Sequence, residues 1–567
     1  PLQIYVHISF VIMLIQMDTE IRKIVLKNAI DYKGKASVKS VIPKILGTFS
    51  EAKKNIKEIV DKVNVLVSEI NSLTLEEQIS QLRNLAPELL EKKEKRKKGL
   101  KNLPHAIEGK FVARLPPEPG KYLHVGHAIG FYINYLYTQK YKGKLILRFE
   151  DTNPLIPKKE YYDAIREDLK AINIHYDKEI IESNNIEQYY SYGEKLINEN
   201  LAYACSCSKE EISTKRRNKE ECSCRNRSTE ENLLIWKAMH KDVGEGEFII
   251  RLKGNMSAKD PLLRDPTIFR IIDAEHPLQG KKYRVWPSYD FAVAIEDGLN
   301  VTHVLRGAEF LQRTPLQNHI RSLLGIKNPE VIHYSRVNII GGLTSGREIR
   351  KLIKEENTTW DDPRLMTIRA LLRRGINPET FKLLAIDVGI SLAETNLDYK
   401  HISGINKKLI DPIAKRCFFV SNPIKLVVEG APEKEAEIPV HPKNEKLGKR
   451  KIKTNGVIWL AKDDLHEGKL RLKDLYTIEL KKEGVEYKAK FLTEEFEKGI
   501  EVIQWVSSDF VKMNLIIPEG KELITVKGYA ESTIQNYPVG EIIQLERVGY
   551  GRIDSKEPEV NVIFSHK

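Results

Sequence analysis

The sequence of 567 residues predicts a multidomain α/β protein with a helical N-terminal block and an all-β C-terminal tail. Three successive patterns support this prediction. Leu, Ile, Lys and Glu recur at helical spacing over the first hundred or so residues. Apolar strands then alternate with longer helical patterns, which is typical of a parallel sheet. Beyond about residue 410, short Val/Ile strands are separated by Gly, Pro and Asn turns, which predicts barrels or sandwiches.

The composition excludes several protein classes. Apolar residues make up 41% and charged residues 30% of the chain, which excludes general disorder, collagen, coiled coils and polytopic membrane proteins. Lys and Arg number 92 against 79 Asp and Glu, and this excess of 13 positive charges suits a partner made of phosphates. Five cysteines are too few for a secreted disulfide scaffold. We therefore expect a cytoplasmic protein with no membrane partner.

The N-terminal block, residues 17–105, follows a mostly apolar segment. Residues 1–16 lack the basic region and cleavage site of a secretory signal and are short for a membrane span. Because Met17 opens a plausible helix, we expect residues 1–16 to be an extension without function. The helical block is a candidate surface for a protein partner. The basic run at 92–101 is either a solvated linker or an electrostatic arm for RNA.

The segment FVARLPPEPGKYLHVGHAIG at 111–130 predicts a strand, a turn and a helix that begins near His124. A helix N-terminus presents free N–H groups and a positive dipole end, which favour an anion such as a triphosphate. His124 and His127 flank Gly126, and their imidazoles can donate hydrogen bonds to phosphate oxygens. Gly126 leaves room for a flat base or ribose. Two ordinary histidines at a helix start are the alternative interpretation.

The segment resembles the signature of class I aminoacyl-tRNA synthetases of the glutamyl/glutaminyl group, in the archaeal and eukaryotic form. Further motifs of that family follow in the expected order. They are LILRFEDTNP at 145–154, YDFAVAIEDGLNVTHVLRGAEF at 289–310, WDDPRLMTIRALLRRGINPE at 360–379, KLIDPIAKRCFFV at 408–420, and LHEGKLRLKDL and QLERVGYGRID in the tail. The resemblance covers about residues 105 to 555.

The resemblance implies a Rossmann-like class I synthetase catalytic domain with an inserted acceptor-binding domain, helical stem-contact regions and a C-terminal all-β anticodon-binding region. It also implies ATP and Mg²⁺ as cofactors. The expected divisions after the N-terminal block are the first catalytic half at 106–204, a zinc-containing acceptor-stem insertion at 205–285, the second catalytic half at 286–340, a loop and stem-contact region at 341–409, and anticodon-binding domains at 410–567.

The amino-acid pocket is predicted from position within these motifs. Glutamate carries one ammonium and two carboxylates, so its pocket needs an acid, a guanidinium and a hydrogen-bonding aromatic residue. The glutaminyl branch typically has DDTNP and lacks the arginine of LRG, so this chain looks glutamyl. Two alternatives stay open: Asp151 as a turn cap, and Arg306 paired with Glu309. The residues expected at glutamate are Arg114, Glu118, Glu150, Asp151, Tyr289 and Arg306.

The second nucleotide motif of the family, a Lys-Met-Ser-Lys-Ser-like loop, is degenerate here. In GGLTSGREIRKLI at 341–353, Ser345 matches the serine of the motif, whereas Gly346 and Glu348 occupy the usual lysine positions. The loop needs mobile cations on a Gly-rich hinge to stabilise the reacting phosphates. A plain loop without catalytic work is the alternative. The cations available in the loop are Arg347, Arg350 and Lys351.

Four cysteines form two short clusters. Each cluster has the form C-x-C, and fourteen residues separate the two clusters. Together they provide the four thiolates that a tetrahedral metal site needs. A structural zinc ion is the favoured interpretation, and bare thiols or opportunistic disulfides are the alternative. Cys417 lies apart and is expected to be a buried small side chain. The expected zinc ligands are Cys205, Cys207, Cys222 and Cys224.

Contacts with tRNA are expected along much of the chain. The resemblance implies acceptor-stem contacts from about 205 to 285 and anticodon reading by the β tail, with Arg416 as a base-reading candidate. The basic run at 441–453 is a candidate for phosphate contacts. We predict a ligase that activates L-glutamate with ATP and transfers it to tRNA(Glu), with activation dependent on tRNA. The alternatives are a glutaminyl enzyme and a catalytically inactive tRNA-binding relative.

Overall fold

The computed structural model describes residues 18–48, 56–90, 100–343, 345–484 and 486–567. The predicted extension at 1–16 and most of the basic run at 92–101 lie outside these residues. The chain divides into two compact units, Pro1–Lys98 and Gly99–Lys567. None of the helices in the described segments is long and apolar enough to cross a membrane.

The first unit is helical over its described residues. Thr74 caps the last of its long helices in a capping box with Glu77, since each side chain accepts a hydrogen bond from the other residue's backbone N–H. Val25, Val63 and Leu82 are fully buried in the core of the unit. The helices are α1 at 18–31, α2 at Val38–Thr48, α3 at Ile56–Ser72 and α4 at Leu75–Leu85.

The second unit begins with a parallel α/β layer, as the alternating pattern predicts. Strands β1, β2 and β3 pair in parallel in that order, and β8 pairs in parallel with β9. The Val112 N–H donates to Thr302 Oγ1 at 2.9 Å, which places the start of β8 beside β1. The strands are β1 at Val112–Leu115, β2 at Lys144–Phe149, β3 at Lys178–Ile181, β8 at His303–Gly307 and β9 at Glu330–Tyr334.

Helices connect these strands, and the first two of them bury their apolar sides against the layer. Helix α5 follows β1, and its Val125, Ala128 and Ile129 are completely buried. The helices of the layer are α5 at Val125–Lys140, α6 at Lys159–Ala171, α7 at Ile186–Asn198, α10 at Tyr289–Asn300 and α11 at Thr314–Leu324.

A four-stranded antiparallel sheet with two helices interrupts the layer. Trp236 and Trp286 are buried in its core, and the cysteine clusters lie at one end of its first strand. Its elements are β4 at Ala202–Cys205, α8 at Lys209–Asn218, α9 at Thr229–Met239, β5 at Ile249–Leu252, β6 at Thr267–Ile271 and β7 at Val285–Pro287.

The region after β9 is mainly helical but contains one parallel strand pair. The pattern at 341–409 predicts helices, yet residues 395–398 form a strand because β10 supplies a hydrogen-bonding edge. The elements are β10 at Val337–Ile340, α12 at Gly346–Glu356, α13 at Ile368–Arg373, α14 at Pro378–Val388, β11 at Thr395–Asp398 and α15 at Tyr399–Ile410.

The tail consists of strands joined by turns and short 3₁₀ segments, which confirms the all-β prediction for its described residues. One seven-stranded sheet has the order β12-β25-β26-β27-β23-β24-β13, and another has β21-β18-β19-β20-β14-β17-β22. Strands β15 and β16 form a separate hairpin. The strands are β12 at Lys415–Cys417, β13 at Phe419–Ser421, β14 at Pro423–Glu429, β15 at Lys434–Pro439, β16 at Lys449–Thr454, β17 at Val457–Ala461, β18 at Gly468–Leu472, β19 at Thr477–Glu483, β20 at Glu486–Thr493, β21 at Glu501–Ile503, β22 at Val506–Ser507, β23 at Phe510–Glu519, β24 at Glu522–Glu531, β25 at Ile542–Leu545, β26 at Gly549–Ser555 and β27 at Val560–His566.

Candidate active site

The two histidines lie at the N-terminus of α5, directly after the turn that follows β1. His124 is the N-cap, and its Nδ1 accepts a hydrogen bond from the Gly126 N–H at 3.1 Å. His127 Nδ1 accepts from the His124 N–H at 3.1 Å. Because each Nδ1 is an acceptor, each neutral ring carries its proton on Nε2. The pair therefore offers two Nε2–H donors beside a helix N-terminus.

Both imidazoles are held in the neutral form. Burial, reinforced by the charges of Lys121 and Arg336, lowers the pKa of His124 to about 4. Burial lowers the pKa of His127 well below its usual value, and His124 and Lys121 act in the same direction. Near neutral pH the rings therefore donate hydrogen bonds without carrying charge.

Gly126 has a local role that the sequence interpretation missed. A Cβ atom at this position would lie 2.9 Å from Cε1 of His124. The ring of His124 folds back over the first turn of the helix to reach the Gly126 N–H, so a side chain at 126 would displace it. The glycine is thus required by the histidine itself, whether or not a base or ribose also approaches.

A cluster of buried charges lies at the carboxyl ends of the parallel strands. Asp297 on α10 accepts hydrogen bonds through Oδ1 from Arg114 Nε at 3.1 Å and from Arg148 Nη1 at 2.7 Å. All three side chains are almost completely buried. Burial alone would raise the pKa of Asp297, but Arg148 and Arg114 lower it to about 2. This shared carboxylate holds both guanidinium groups in place.

Glu150 follows β2 and faces the same cluster. Its Oε1 accepts a hydrogen bond from Arg148 Nη2 at 2.8 Å. Burial raises the pKa of Glu150, while the charges of Arg148 and Arg114 oppose that rise. A further cation near Glu150 would favour its ionised form. The carboxylate is therefore suited to an incoming ammonium.

Arg306 and Tyr289 complete the cluster from the other side. Arg306 donates to Gln317 Oε1 and to Thr314 Oγ1, each at 2.8 Å. These contacts replace the pairing with Glu309 considered from the sequence. Burial lowers the pKa of Arg306, and the like charge of Arg114 lowers it further, so an anion between the two arginines would be stabilised.

The hydroxyl of Tyr289 is placed among the same charges. Burial, followed by the charge of Glu150, raises its pKa well above the usual value, and Arg114 and Arg306 oppose the rise. No hydrogen bond to this hydroxyl exists within the described residues. The structure thus brings Arg114, Glu150, Tyr289 and Arg306 to one site.

The other two residues predicted for the pocket are placed differently. Asp151 is fully buried and accepts hydrogen bonds from Tyr162 Oη at 2.6 Å and from the N–H and hydroxyl of Ser183 at 2.8 Å. With these donors in place, Asp151 ties the end of β2 to the segment after β3 and is not open to a ligand. Glu118 is exposed in the turn after β1.

The degenerate loop leads into α12. Ser345 is the N-cap of this helix, but its hydroxyl accepts no capping hydrogen bond. Arg347 and Arg350 are exposed, and Lys351 pairs with Glu355 at 3.7 Å on the helix surface. The structure therefore leaves the arginines available, although none of the three lies in the buried cluster.

Sequence reasoning missed four charged residues of this region. Asp297 and Arg148 lie within the quoted motifs AIED and LILRFE, and their charge in otherwise apolar runs was the available signal. Lys121 and Arg336 lie near enough to His124 to lower its pKa. Lys121 was within the quoted segment, whereas nothing local marks Arg336.

The four clustered cysteines come together at the end of β4. Their Sγ atoms all lie within 4.8 Å of one another. Cys205 and Cys222 are 3.8 Å apart, and Cys207 and Cys224 are 4.0 Å apart. A tetrahedral zinc ion with Zn–S bonds of about 2.3 Å requires sulfur separations of about 3.8 Å. The donor set and its spacing therefore fit zinc, with no ligand position left for water.

Arg416, the base-reading candidate, is buried at the start of the tail. Its Nη2 donates to Asp411 Oδ1 at 2.8 Å, and the guanidinium lies 5.9 Å from the ring centre of Tyr550. Its Nη1 has no partner within the described residues. The Nη1 atom is itself buried, so the guanidinium is enclosed by the protein on both edges.

Comparison with known proteins extends these observations over most of the chain. Residues 110–412 match the family model described as "tRNA synthetases class I (E and Q), catalytic domain". Residues 414–493 and 502–554 match the two anticodon-binding domain models of the same family.

The chain is also similar over nearly its whole length to curated archaeal proteins. It is 42% identical to the glutamate–tRNA ligase of Pyrococcus abyssi and 40% identical to that of Thermococcus kodakarensis; each alignment covers 97% of this chain and 100% of the relative. A crystal structure of a glutamate-tRNA synthetase from Elizabethkingia anophelis aligns with a TM-score of 0.39 at 18% identity, over 54% of this chain and 71% of that one.

Proposed function

Since the chain belongs to the class I tRNA synthetases for glutamate and glutamine, we propose that it is a glutamate–tRNA ligase. It activates L-glutamate with ATP to glutamyl-adenylate and transfers the glutamyl group to the 3′-terminal adenosine of tRNA(Glu). The observation that supports glutamate best is the pair of buried arginines, Arg114 and Arg306, whose like charges act on each other beside Tyr289. Such a pair is stabilised by a carboxylate.

In this proposal the pocket binds the side-chain carboxylate and the ammonium of glutamate. Arg114 and Arg306 bind the side-chain carboxylate, and Tyr289 donates its hydroxyl to it. Glu150 binds the ammonium. Burial disfavours the ionised form of Glu150 and raises its pKa, and a bound cation offsets this effect. The fully engaged Asp151 is left out of the pocket, and the exposed Glu118 is left at its rim.

The histidines act on the nucleotide. The Nε2–H groups of His124 and His127 donate to phosphate oxygens while the glutamate α-carboxylate attacks the α-phosphorus. Mg²⁺, when bound, neutralises phosphate charge. Gly126 leaves room for the ring of His124 to keep its donor position. Ser345, just before α12, and Arg347, within α12, approach the phosphates.

The remaining parts of the proposal concern zinc, tRNA and location. The four clustered cysteines hold a structural zinc ion in the acceptor-binding insertion. The β tail reads the anticodon, and Arg416 at its start contributes to that contact. Activation requires bound tRNA, and the protein works in the cytoplasm.

The test is aminoacylation of matched tRNA(Glu) and tRNA(Gln) transcripts with labelled glutamate or glutamine, with and without ATP. We expect ATP-dependent charging of tRNA(Glu) with glutamate. Glutamine charging would overturn the pocket assignment. Binding of tRNA without charging of either transcript would instead support an inactive relative. Pyrophosphate exchange without tRNA would contradict the tRNA requirement alone.

A further inference from the structure

The loop before α12 lacks the lysine side chain that its family motif places next to the phosphates. Gly346 occupies a lysine position and is the first residue of α12. A Cβ atom built on Gly346 would lie 3.8 Å from Cδ of Lys121 and 3.5 Å from Nη1 of Arg350. The space into which a side chain at 346 would project is therefore bordered by a lysine from a different part of the chain.

Lys121 lies in the turn between β1 and α5, three residues before His124. Its neighbour Tyr122 fixes this turn, because its ring lies 4.7 Å from Trp360 and 5.2 Å from Tyr161. The Lys121 ammonium forms no ion pair with any described carboxylate. The charge of Lys121 acts on Glu118 and opposes the rise in the pKa of that carboxyl caused by burial. Because no ion pair holds it, this partly exposed lysine on a fixed turn has its charge available for a ligand.

One backbone segment joins the histidine turn to the degenerate loop. The Val125 N–H donates to the Met366 carbonyl at 3.0 Å. On the other side Leu343 forms a bridge with Leu365, and the Met366 N–H donates to the Leu343 carbonyl at 3.4 Å. Because residues 365–366 pair with both, the turn that carries Lys121 and the start of α12 keep a fixed relation.

We propose that Lys121 supplies the phosphate-binding ammonium that the loop at 341–353 lacks, so that the cation has moved from the loop to the histidine turn. This inference rests on the proposed function. During activation a glutamate carboxylate oxygen bonds to the α-phosphorus and the bond from that phosphorus to the bridging oxygen breaks. The electron pair leaves with pyrophosphate, and the ammonium of Lys121 balances the negative charge that builds on these oxygens.

The electrostatics of the site agree with this position. The charge of Lys121 lowers the pKa of both His124 and His127, so it acts on the face where the phosphates are expected. Arg350 borders the same space, but its charge acts on Tyr161. A lysine on the turn is also present before any loop movement, whereas the family's loop lysine arrives with its loop.

The experiment compares pyrophosphate exchange in the presence of tRNA(Glu) for three variants and the unmodified protein. Lys121→Ala removes the ammonium. The matched control is Lys110→Ala, which removes an exposed lysine just before β1 that forms no ion pair within the described segments. The double variant Lys121→Ala/Gly346→Lys returns a lysine to the loop, where the contacts of a Cβ atom are ordinary van der Waals distances.

We expect Lys121→Ala to reduce kcat for exchange by about 100-fold, as for loss of one transition-state donor, with KM for glutamate unchanged. Lys110→Ala should have the exchange rate of the unmodified protein. The double variant should reach at least about a tenth of the exchange rate of the unmodified protein. Unchanged exchange in Lys121→Ala, or a loss that Gly346→Lys does not repair in a normally folded protein, would overturn the inference. If the unmodified protein itself fails to charge tRNA, the proposed function fails first.

Discussion

At the scale of single residues, backbone hydrogen bonds set the chemistry of the two histidines. The Nδ1 atoms of His124 and His127 accept from backbone N–H groups, which leaves Nε2–H as the group that meets a ligand. Protonation of either Nδ1 would remove an acceptor and leave a backbone N–H facing another N–H. These hydrogen bonds therefore favour the neutral form of both rings, in addition to the burial that lowers their pKa values.

This predicts a pH profile without a break at the ordinary histidine pKa. The pKa of His124 falls from 6.5 to about 4 in the folded protein, so the ring stays neutral as the pH is lowered through 6.5. The rate of pyrophosphate exchange should be level from about pH 8 to pH 6. Stability due to the neutral ring should be lost as the pH falls from 6.5 towards 4. An inflection near 6.5 that disappears in His124→Asn would contradict the assignment.

Asp297 carries a second prediction at this scale. Asp297→Asn leaves Arg114 and Arg148 buried without their shared charge, so we expect a loss of about 3 kcal/mol in the free energy of unfolding and a raised KM for glutamate. Asp273→Asn is the matched control, since Asp273 pairs with Arg284 at 2.6 Å on the surface, where a pair contributes about 0–1 kcal/mol. Denaturant unfolding and glutamate titration measure both effects; equal losses in the two variants would refute the role of Asp297.

At the scale of elements, the short sheet that interrupts the α/β layer carries the cysteine cluster at the end of its first strand. The segment between β4 and β5 contains α8, which buries none of its residues, and the two cysteine pairs flank that helix. Arg251 on β5 lies 3.7 Å from the sulfur atoms of both Cys205 and Cys222. A metal ion bound by both cysteine pairs would connect the two ends of the α8 segment to each other and to the sheet.

We therefore predict one zinc ion per chain and its loss in Cys222→Ser. Metal content is measured on protein purified under reducing conditions, and the KM for tRNA is measured in charging assays. Cys222→Ser should lose zinc and raise the KM for tRNA, because the insertion that we propose binds the acceptor stem would lose its cross-link. Cys417→Ser, which alters a buried cysteine in the tail, should keep its zinc. Full zinc content in Cys222→Ser would contradict a four-thiolate site.

At the scale of the whole molecule, the excess of positive charge is not uniformly available to RNA. The basic run at 441–453 was a candidate for phosphate contacts, yet Lys449, Lys451 and Lys453 on β16 pair with Glu435 and Glu437 across the hairpin. Each of these pairs is exposed, so solvent and salt weaken it. Strands β15 and β16 carry five basic residues against two acidic ones. Because the two glutamates pair with three of the lysines, we expect most phosphate contacts to lie elsewhere.

Salt dependence of tRNA binding tests this expectation. The logarithm of the association constant should fall linearly with the logarithm of salt concentration, by roughly 0.7 to 0.9 per phosphate neutralised. The triple variant Lys449→Ala/Lys451→Ala/Lys453→Ala should keep the slope of the unmodified protein. A slope reduced by about two or more units in the triple variant would place phosphates on this strand.

Much of the site follows from residue type and spacing along the chain. The pattern of strand, turn and helix located His124 and His127 at a helix N-terminus, because helix starts depend on local residues. The family motifs predicted that Arg114, Glu150, Tyr289 and Arg306 would share a pocket, and the fold brings them together. The zinc assignment remains a prediction, although the spacing of the four cysteines was visible in the sequence.

The sequence by itself therefore determined the family and the order of its catalytic and anticodon-binding domains. It also predicted the residue types of the proposed pocket, since all of these depend on motifs that are local or ordered along the chain. Only the tertiary structure decided which groups share a partner. Asp297 bonds Arg114 and Arg148 from positions 183 and 149 residues away, Asp151 is occupied by Ser183, and Lys121 borders Gly346. Such contacts arise where strands and helices distant in the chain meet, and no local pattern encodes them.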